Sequence, residues 1–320
     1  MMHRPARRRR LLLGALLLAA PIVACHWDGV AGESGTFAPG TAQHIVTVGE
    51  LGRRFVLHVP ARRPMTSAGV VRGYGLVIVL HGSSGSAEDM EVTTGLDSIS
   101  EEGRFLVAYG QGVQGAGGLF PSDWNAGQCC GAAARENIDD VGYVNAIIAA
   151  VAQDLALDRQ RIYVAGFSDG GRMAHHLGCQ LSATIAAIAV VSGSIEDDDC
   201  HPAKAVAMLA IHGTSDDQVD YDQPSLTTPP SVVPGTDTLP PAVQFWAATN
   251  GCRSFTQTHP ATDVTRTGFA SCASDVVFYS IAGGVHAWPG DPGGAGSQPP
   301  MSELKASRVI WGFFSHQLRK

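Results

Sequence analysis

Short apolar runs alternate with amphipathic stretches along most of the chain, and this alternation predicts an α/β fold. Leu76–Leu80 and Phe105–Tyr109 are apolar at every position, and Arg161–Ala165 is apolar after its first residue. Such strands are buried on both faces, which is typical of a mostly parallel sheet with helices on both sides. Further strands are predicted at Ala186–Val191, Val206–Ile211 and Val276–Ile281.

Other segments complete the predicted domain, which we assign to residues 43–320. His44–Val48 and Arg54–Val59 alternate around a glycine-containing turn, which predicts an antiparallel hairpin at the sheet edge. Gln223–Pro241 is rich in Pro, Thr and Ser and predicts a surface loop, whereas Leu304–His316 predicts a closing helix. One amphipathic helix is indicated by the spacing of Val141, Val144, Ile148, Val151 and Leu155.

Residues 1–24 have the composition of an export signal. Five arginines in the first ten residues precede the apolar stretch Leu11–Ala24, which is too short for an ordinary membrane span. Ile22–Cys25 resembles the bacterial lipobox, in which Cys25 would be lipidated; an ordinary signal peptide cleaved nearby is the alternative. Residues 25–42 are predicted to be a flexible tether. In either case we expect a secreted, periplasmic or envelope-anchored protein.

Removal of this signal makes the chain markedly acidic. It takes away five of the 22 basic residues and none of the 29 acidic ones, which leaves a net charge of −12. An acidic surface argues against nucleic acid and anionic lipid surfaces as partners. We therefore expect no nucleic-acid partner, and membrane contact only through a lipid at Cys25.

Six of the seven cysteines follow Cys25, and an even number in an exported protein predicts disulfides. Six cysteines allow 15 connectivities, so the sequence leaves the pairing open. Cys252 and Cys272 form the best local pair, while Cys129 and Cys130 could bridge to each other or pair elsewhere. No cysteine or histidine set has zinc spacing, so we expect no metal and no cofactor.

The run Gly166–Gly171, which reads Gly-Phe-Ser-Asp-Gly-Gly, carries the main chemical signal. It lies between a predicted strand and a predicted helix, and a serine between glycines in that context is typical of the nucleophile elbow of α/β-hydrolases. Side chains at Gly166 and Gly170 would collide with the adjoining strand and helix. The sequence therefore predicts an α/β-hydrolase fold with Ser168 as nucleophile.

A nucleophilic serine needs a base to take its proton and a carboxylate to orient that base. In this fold the order along the chain is serine, acid, histidine. Asp216 is the first carboxylate after the strand that ends at Ile211, and Asp217 beside it is the alternative. His286, on a glycine-flanked loop after a later strand, is the predicted base.

The tetrahedral intermediate of such a reaction needs two N–H donors for its oxyanion. The N–H of Asp169, directly after the nucleophile, is predicted to be one donor. Ser83 follows the strand Leu76–Leu80 and is predicted to be the second, with Ser84 as the alternative. His81 in the same loop is interpreted as a structural residue and not as a base.

Six sequence blocks in fixed order carry a family resemblance. They are His81–Ser83, Trp124–Gly127 with Cys129–Gly131, Asp139–Val141, Gly166–Gly171, His212–Asp216 and His286–Gly290. Together they resemble the polyhydroxybutyrate depolymerase-type esterases, a family that includes feruloyl and acetylxylan esterases. The resemblance covers the chain from about Arg54 to Phe314.

This resemblance implies a secreted carboxylic ester hydrolase with the triad Ser168, Asp216 and His286. It also implies that Trp288 and Trp124 line the substrate site, with a packing role for each ring as the alternative. The implied substrates are polyhydroxyalkanoate-type oligomers or the feruloyl and acetyl esters of plant cell walls.

Two features depart from the family pattern: Val285 replaces a usual third glycine, and the loop Gln223–Pro241 is long. No separate substrate-binding domain is expected after the closing helix, which favours soluble esters, oligomers or amorphous chains over crystalline polyester. A serine peptidase or amidase on the same fold and a non-catalytic surface-binding protein are the alternative functions.

Overall fold

A computed structural model describes Met1 and residues 37–65, 72–114, 122–224, 233–290 and 302–319. The predicted export signal after Met1, the lipobox and most of the predicted tether lie outside these ranges. The strands are β1 (Gly40–Val48), β2 (Leu51–Val59), β3 (Tyr74–Leu80), β4 (Leu106–Gly110), β5 (Val113–Gln114), β6 (Ser122–Asp123), β7 (Leu157–Phe167), β8 (Ala187–Val191), β9 (Ala207–Gly213), β10 (Ser254–Ala261), β11 (Val264–Ala270) and β12 (Val276–Ile281). The helices are α1 (Ala87–Thr94), α2 (Leu96–Gly103), α3 (Gly131–Arg135), α4 (Asp140–Asp154), α5 (Asp169–Gln180), α6 (Pro241–Thr249) and α7 (Ala306–Phe314).

A ten-stranded sheet forms the centre of the described fold, in the order β1-β2-β4-β3-β7-β8-β9-β12-β11-β10. The strands from β4 to β12 in this order run parallel to their neighbours. Antiparallel strands flank them on each side, and β1 and β10 are the edges. This arrangement confirms the mostly parallel sheet and the edge hairpin that the sequence predicts.

The two faces of the sheet bury separate hydrophobic clusters because side chains alternate between faces along each strand. In β3, Leu76 and Ile78 belong to the cluster that packs under α4, α5 and α6, whereas Val77 and Val79 belong to the cluster under α1, α2 and α7. Helices therefore cover both faces, as expected for strands that are apolar at every position. No helix within the described ranges combines the length and the hydropathy needed to span a membrane.

Three disulfides lie in the described part of the chain: Cys129–Cys130, Cys179–Cys200 and Cys252–Cys272. The predicted local pair Cys252–Cys272 is therefore formed, and the two neighbouring cysteines bridge to each other. Cys252–Cys272 joins the segment directly after α6 to the β11–β12 connection.

Two predictions along the chain need correction. β1 begins at Gly40, so the last three residues of the predicted 25–42 tether belong to the sheet. Within Gln223–Pro241 the described residues 234, 235, 237 and 238 are exposed, as a surface loop requires, but Val233, Thr236 and Leu239 are buried and Pro241 is the first residue of α6. The apolar side chains spaced along that segment are buried in the core cluster under α6, although its Pro and Thr content is typical of an exposed loop.

Strand register brings the loops of interest to one edge of the sheet. The partner of Leu80 at the end of β3 is Gly166 near the end of β7. The partner of Gly213 at the end of β9 is Ile281 at the end of β12. Because the carboxyl ends of parallel strands meet at the same edge, the loops after these four strands leave the sheet in two adjacent pairs.

Candidate active site

Ser168 occupies a strained turn between β7 and α5. Its backbone has φ 54° and ψ −117°, a positive φ that a serine adopts only when its surroundings enforce it. Its N–H donates to the carbonyl of Val191 at the end of β8 (2.9 Å). A Cβ at Gly166 would overlap the carbonyl of Gly170, and a Cβ at Gly170 would overlap the carbonyl of Leu80. The two flanking glycines therefore permit the sharp turn that holds Ser168 at the sheet edge.

His286 and Asp216 meet at the same edge. Nδ1 of His286 lies 2.9 Å from both carboxylate oxygens of Asp216. Because a carboxylate only accepts, Nδ1 carries the proton and donates it, which leaves Nε2 of the neutral ring free to accept one. The two loops are also joined directly, since the N–H of Ser215 donates to the carbonyl of Gly284 (2.8 Å).

The carboxylate of Asp216 is held by several donors in addition to His286. Burial raises the pKa of this carboxyl, but hydrogen bonds from His212, His286 and the backbone N–H groups of Val219 and Gln218 outweigh burial and lower its pKa well below the usual range. The Val219 and Gln218 N–H groups lie 2.9 and 3.0 Å from Oδ1. Asp216 is therefore ionised at any pH near neutrality, and its geometry is fixed before any ligand binds. The alternative acid, Asp217, is exposed.

The ring of His286 lies beside the elbow, with its centroid 4.8 Å from the ring of Phe167, the residue before Ser168. Among the hydrogen bonds of the described residues there is none between Ser168 Oγ and His286. Such bonds are often long or poorly aligned in unliganded hydrolases and tighten when substrate binds. The structure thus brings His286, the predicted base, close to the elbow of Ser168, the predicted nucleophile, while no hydrogen bond between Oγ and Nε2 is formed.

The loop after β3 lies against the elbow: a Cβ at Gly82 would lie 3.2 Å from the Cβ of Ser168. The N–H of Ser84 donates to the carbonyl of Ser122 (2.9 Å), so this alternative oxyanion donor is already used. The N–H groups of Ser83 and Asp169 have no hydrogen-bond partner among the described residues. Of the donors weighed from sequence, these two remain available to a ligand.

His81 is a neutral structural residue, in agreement with its interpretation from sequence. Its Nε2 lies 2.9 Å from the N–H of Gly112, which can only donate, so Nε2 is unprotonated and Nδ1–H donates to the carbonyl of Gly82 (2.7 Å). Burial is the main reason that its pKa falls to about 4. The imidazole therefore links the Gly82 turn to the chain after β4.

Both tryptophans expected at the substrate site are buried. Trp124 is fully buried, and its indole N–H donates to the carbonyl of His81 (2.9 Å). Trp288 is 3% exposed, and its N–H donates to Ser307 Oγ (3.0 Å). This burial favours the packing alternative for each ring, and contact of either tryptophan with substrate stays a prediction.

Asp169 is a buried carboxyl directly after Ser168. Burial raises its pKa to about 7, with a further contribution from Asp123, while the N–H of Trp124 and the charge of Arg172 oppose the rise. Its Oδ2 accepts the Trp124 N–H (3.0 Å). This carboxyl therefore changes from neutral to charged near neutral pH, next to the place where an oxyanion would form.

Replacement of Asp169 by asparagine is expected to stabilise the protein at alkaline pH. The raised folded-state pKa means that the native protein binds this proton more tightly than the unfolded chain, so stability falls between about pH 4 and pH 7 and stays lower above. Asparagine resembles the neutral acid and keeps an acceptor for Trp124. The gain in unfolding free energy at pH 8 should be at most about 4 kcal/mol, measured by denaturant unfolding with disulfides intact.

The same comparison at pH 4 should give a gain near zero, because the native carboxyl is then already protonated. The exposed Asp199→Asn change provides a matched control, for which no pH-dependent gain is expected. Equal stabilities of the Asp169→Asn variant and the parent protein at pH 8 would contradict the assigned shift.

Among the described residues, the one group of His, Cys, Asp and Glu close enough to share a metal ion is Cys129, Cys130 and Asp169. The two sulfurs are joined in a disulfide and are not thiolates, so this group does not have the donors that a metal site needs. Asp123 is not predicted from the sequence as a site residue, yet its carboxylate accepts a hydrogen bond from Ser83 Oγ. The one signal for such a role in the sequence is that Asp123 directly precedes Trp124–Gly127, one of the six blocks that carry the family resemblance.

Comparison with known proteins establishes the fold and the family of this chain. An acetyl xylan esterase from Aspergillus awamori superposes with a TM-score of 0.55 at 13% identity, over 86% of this chain and 99% of that one. At this identity the likeness concerns the fold, and it confirms the predicted α/β-hydrolase fold. Feruloyl esterase C of Emericella nidulans is 26% identical over 272 residues, which is 82% of this chain and 84% of that protein.

Feruloyl esterase B of Piromyces equi is 33% identical over 152 residues. That match covers 46% of this chain and 27% of the Piromyces protein. Residues 63–226, just over half of the chain, match the family model described as Esterase PHB depolymerase. The chain belongs to this family, which confirms the predicted enzyme class of carboxylic ester hydrolase.

Proposed function

We propose that the protein is an exported serine esterase that hydrolyses feruloyl or acetyl esters of plant cell-wall type, or hydroxyalkanoate oligomers, through Ser168, His286 and Asp216. One observation carries the mechanism: Nδ1 of His286 lies 2.9 Å from both oxygens of Asp216 at the sheet edge that also holds the Ser168 elbow. Similarity to feruloyl esterase C over most of both chains supports the cell-wall ester class.

In the proposed acylation step, Nε2 of His286 takes the proton of Ser168 Oγ as Oγ attacks the ester carbonyl carbon. The carbonyl oxygen becomes an oxyanion, which the N–H groups of Asp169 and Ser83 stabilise. The ionised Asp216 stabilises the imidazolium. His286 then gives the proton to the departing alcohol, which leaves the acyl group on Ser168.

In the proposed deacylation step, His286 removes a proton from water, and the hydroxide attacks the acyl carbon through a second oxyanion. Collapse of this intermediate breaks the bond to Oγ, and His286 returns the proton to Ser168. The carboxylic acid is released and the enzyme regains its starting state. These steps use side chains and backbone groups of the chain alone.

We also propose export of the protein with lipidation at Cys25. Three disulfides in the described residues support an oxidising compartment, since such bonds are rare in the cytosol. The basic and apolar start of the sequence supports a signal peptide. Metabolic labelling with an alkyne fatty acid tests the anchor: the label should enter the full chain and be lost in Cys25→Ser, and an unlabelled full chain would exclude it.

A substrate panel tests the proposed function most simply. Methyl ferulate, acetylated xylan and 3-hydroxybutyrate oligomers are assayed beside an aminoacyl p-nitroanilide, with the Ser168→Ala variant as blank. We expect turnover of at least one of the esters, with methyl ferulate or acetylated xylan preferred, and no cleavage of the anilide. Cleavage of the anilide without turnover of any ester would replace the esterase proposal with an amidase.

A further inference from the structure

The two proposed oxyanion donors have their side chains anchored to consecutive residues of another segment. Ser83 Oγ donates to Oδ1 of Asp123, and Oδ2 of Asp169 accepts the N–H of Trp124 at 3.0 Å. Ser83 and Asp169 come from different loops, after β3 and β7. Because one peptide unit joins Asp123 to Trp124, the two anchors share a rigid body that sets the distance between the loops.

Further bonds tie the segment 122–125, which we call the oxyanion brace, to the same loop. The carbonyl of Ser122 accepts the N–H of Ser84 (2.9 Å), and the indole N–H of Trp124 donates to the carbonyl of His81 (2.9 Å). The brace thus holds the loop after β3 at His81, at the side chain of Ser83 and at Ser84. The peptide unit that carries the Ser83 N–H is itself held through the carbonyl of Gly82, which accepts the N–H of Gly85 (3.0 Å) and Nδ1–H of His81 (2.7 Å), while the brace holds the residues on either side of it.

The far end of the brace is fixed by a buried ion pair. The N–H of Asn125 donates to Oδ2 of Asp140 (2.8 Å), while Oδ1 of Asp140 pairs with Arg53 at 2.7 Å. Both charged side chains of that pair are almost entirely buried. The brace is therefore anchored in the protein interior and does not depend on solvent-exposed contacts.

The carboxylate of Asp123 is itself confined. Asp123 is 3% exposed, and a Cβ placed on Gly131 would overlap its carboxyl group, so the backbone of α3 closes one side. Val113 pairs with Asp123 across the two-stranded sheet and fixes its backbone. A charged acceptor in such a confined place makes a strong and directional bond to the Ser83 hydroxyl.

We propose that Asp123 is a positioning residue for the oxyanion hole, because its carboxylate holds the Ser83 side chain and thereby orients the Ser83 N–H. Asp123 does not touch the substrate. Oxyanion donors act only when they lie about 2.7–3.1 Å from the oxygen of the tetrahedral intermediate, so a small rotation of the Ser83 peptide weakens catalysis. This inference rests on the proposed esterase function and adds to it the residue that aligns the second donor.

A double-mutant cycle on kcat for a p-nitrophenyl ester tests the inference. Ser83→Ala keeps the N–H and removes only the hydroxyl, and Asp123→Ala removes the acceptor. Each change should lower kcat about 10- to 50-fold, less than the 10²- to 10³-fold loss for complete removal of a donor, with KM changed less than about threefold. The double variant should be no worse than the poorer single variant within about threefold, because both changes break one bond.

Two further variants separate alignment from general stability. Asp123→Asn retains an acceptor oxygen and should recover most of the kcat that Asp123→Ala loses. Ser100→Ala removes the buried hydroxyl that donates to the carbonyl of Phe105, remote from the site, and should reduce thermal stability without lowering kcat. If Asp123→Ala does not fold, the Ser83→Ala and Asp123→Asn values still decide the question.

The outcomes distinguish this inference from the proposed function. A parent protein without activity on any ester of the panel would overturn the proposed function. An active parent protein with Ser83→Ala at parental kcat, or with losses that multiply in the double variant, would overturn the role of Asp123 and leave the triad untouched.

Discussion

Replacement of Ser168 by alanine is expected to lower kcat for short p-nitrophenyl esters by about 10⁵- to 10⁶-fold, to the detection limit. Alanine keeps the Cβ, so the positive φ of 54° imposes the same strain on the backbone. Only Oγ is lost, and with it the acyl-enzyme route. Steady-state assays at high enzyme concentration, after removal of contaminating esterases, provide the measurement.

Two controls make this result interpretable. The thermal unfolding midpoint of Ser168→Ala should stay close to that of the parent protein, because Oγ has no hydrogen-bond partner among the described residues. Ser182→Ala removes another hydroxyl, which accepts the N–H of Ala203 (3.0 Å) away from the elbow, and should keep parental kcat. Activity within tenfold of the parent protein in a folded Ser168→Ala variant would exclude Ser168 as nucleophile.

Replacement of Asp216 by asparagine is expected to lower kcat by about 10³- to 10⁴-fold. The amide has no charge to stabilise the imidazolium of His286. Its NH₂ group would also face Nδ1 if its oxygen kept the Val219 and Gln218 N–H groups, which favours the tautomer with the proton on Nε2. That tautomer cannot accept the Ser168 proton, so the loss should appear in kcat and only weakly in KM.

The neighbouring Asp217 offers a matched control because it is one residue away and exposed. Asp217→Asn makes the same chemical change and should keep kcat within about twofold of the parent protein. A loss in Asp217→Asn with full activity in Asp216→Asn would exchange the two assignments. Circular dichroism of both variants checks that they are folded like the parent protein.

The parallel core and the elbow could be predicted from sequence because their physical signals are local. Strands such as Leu76–Leu80 are buried on both faces and are therefore apolar at every position. The glycines around Ser168 are required because a Cβ at either position would overlap neighbouring backbone atoms. The glycine pattern in the sequence therefore predicts the turn directly. The order of acid and base then follows from the chain order of the loops.

Other parts of the fold could not be predicted because their determinants lie far apart in sequence. β10 is mostly polar and exposed because it forms the edge of the described sheet beside β11, so it has no hydrophobic periodicity of its own. The oxyanion brace depends on a bond between Asp123 and Ser83, which are 40 residues apart, and on one between Trp124 and Asp169, which are 45 residues apart. The burial of Trp288 likewise depends on its contact with Ser307 in α7.

The central claim is that Ser168 forms a covalent intermediate, and active-site labelling with a fluorophosphonate measures this directly. The parent protein is titrated with the probe, its residual esterase activity is followed, and the labelled peptide is identified by mass spectrometry. We expect one adduct per chain, located on Ser168, with activity lost in proportion to labelling and no adduct in Ser168→Ala. An unlabelled Ser168 in a protein that hydrolyses esters, or an adduct on another residue that abolishes activity, would contradict this assignment.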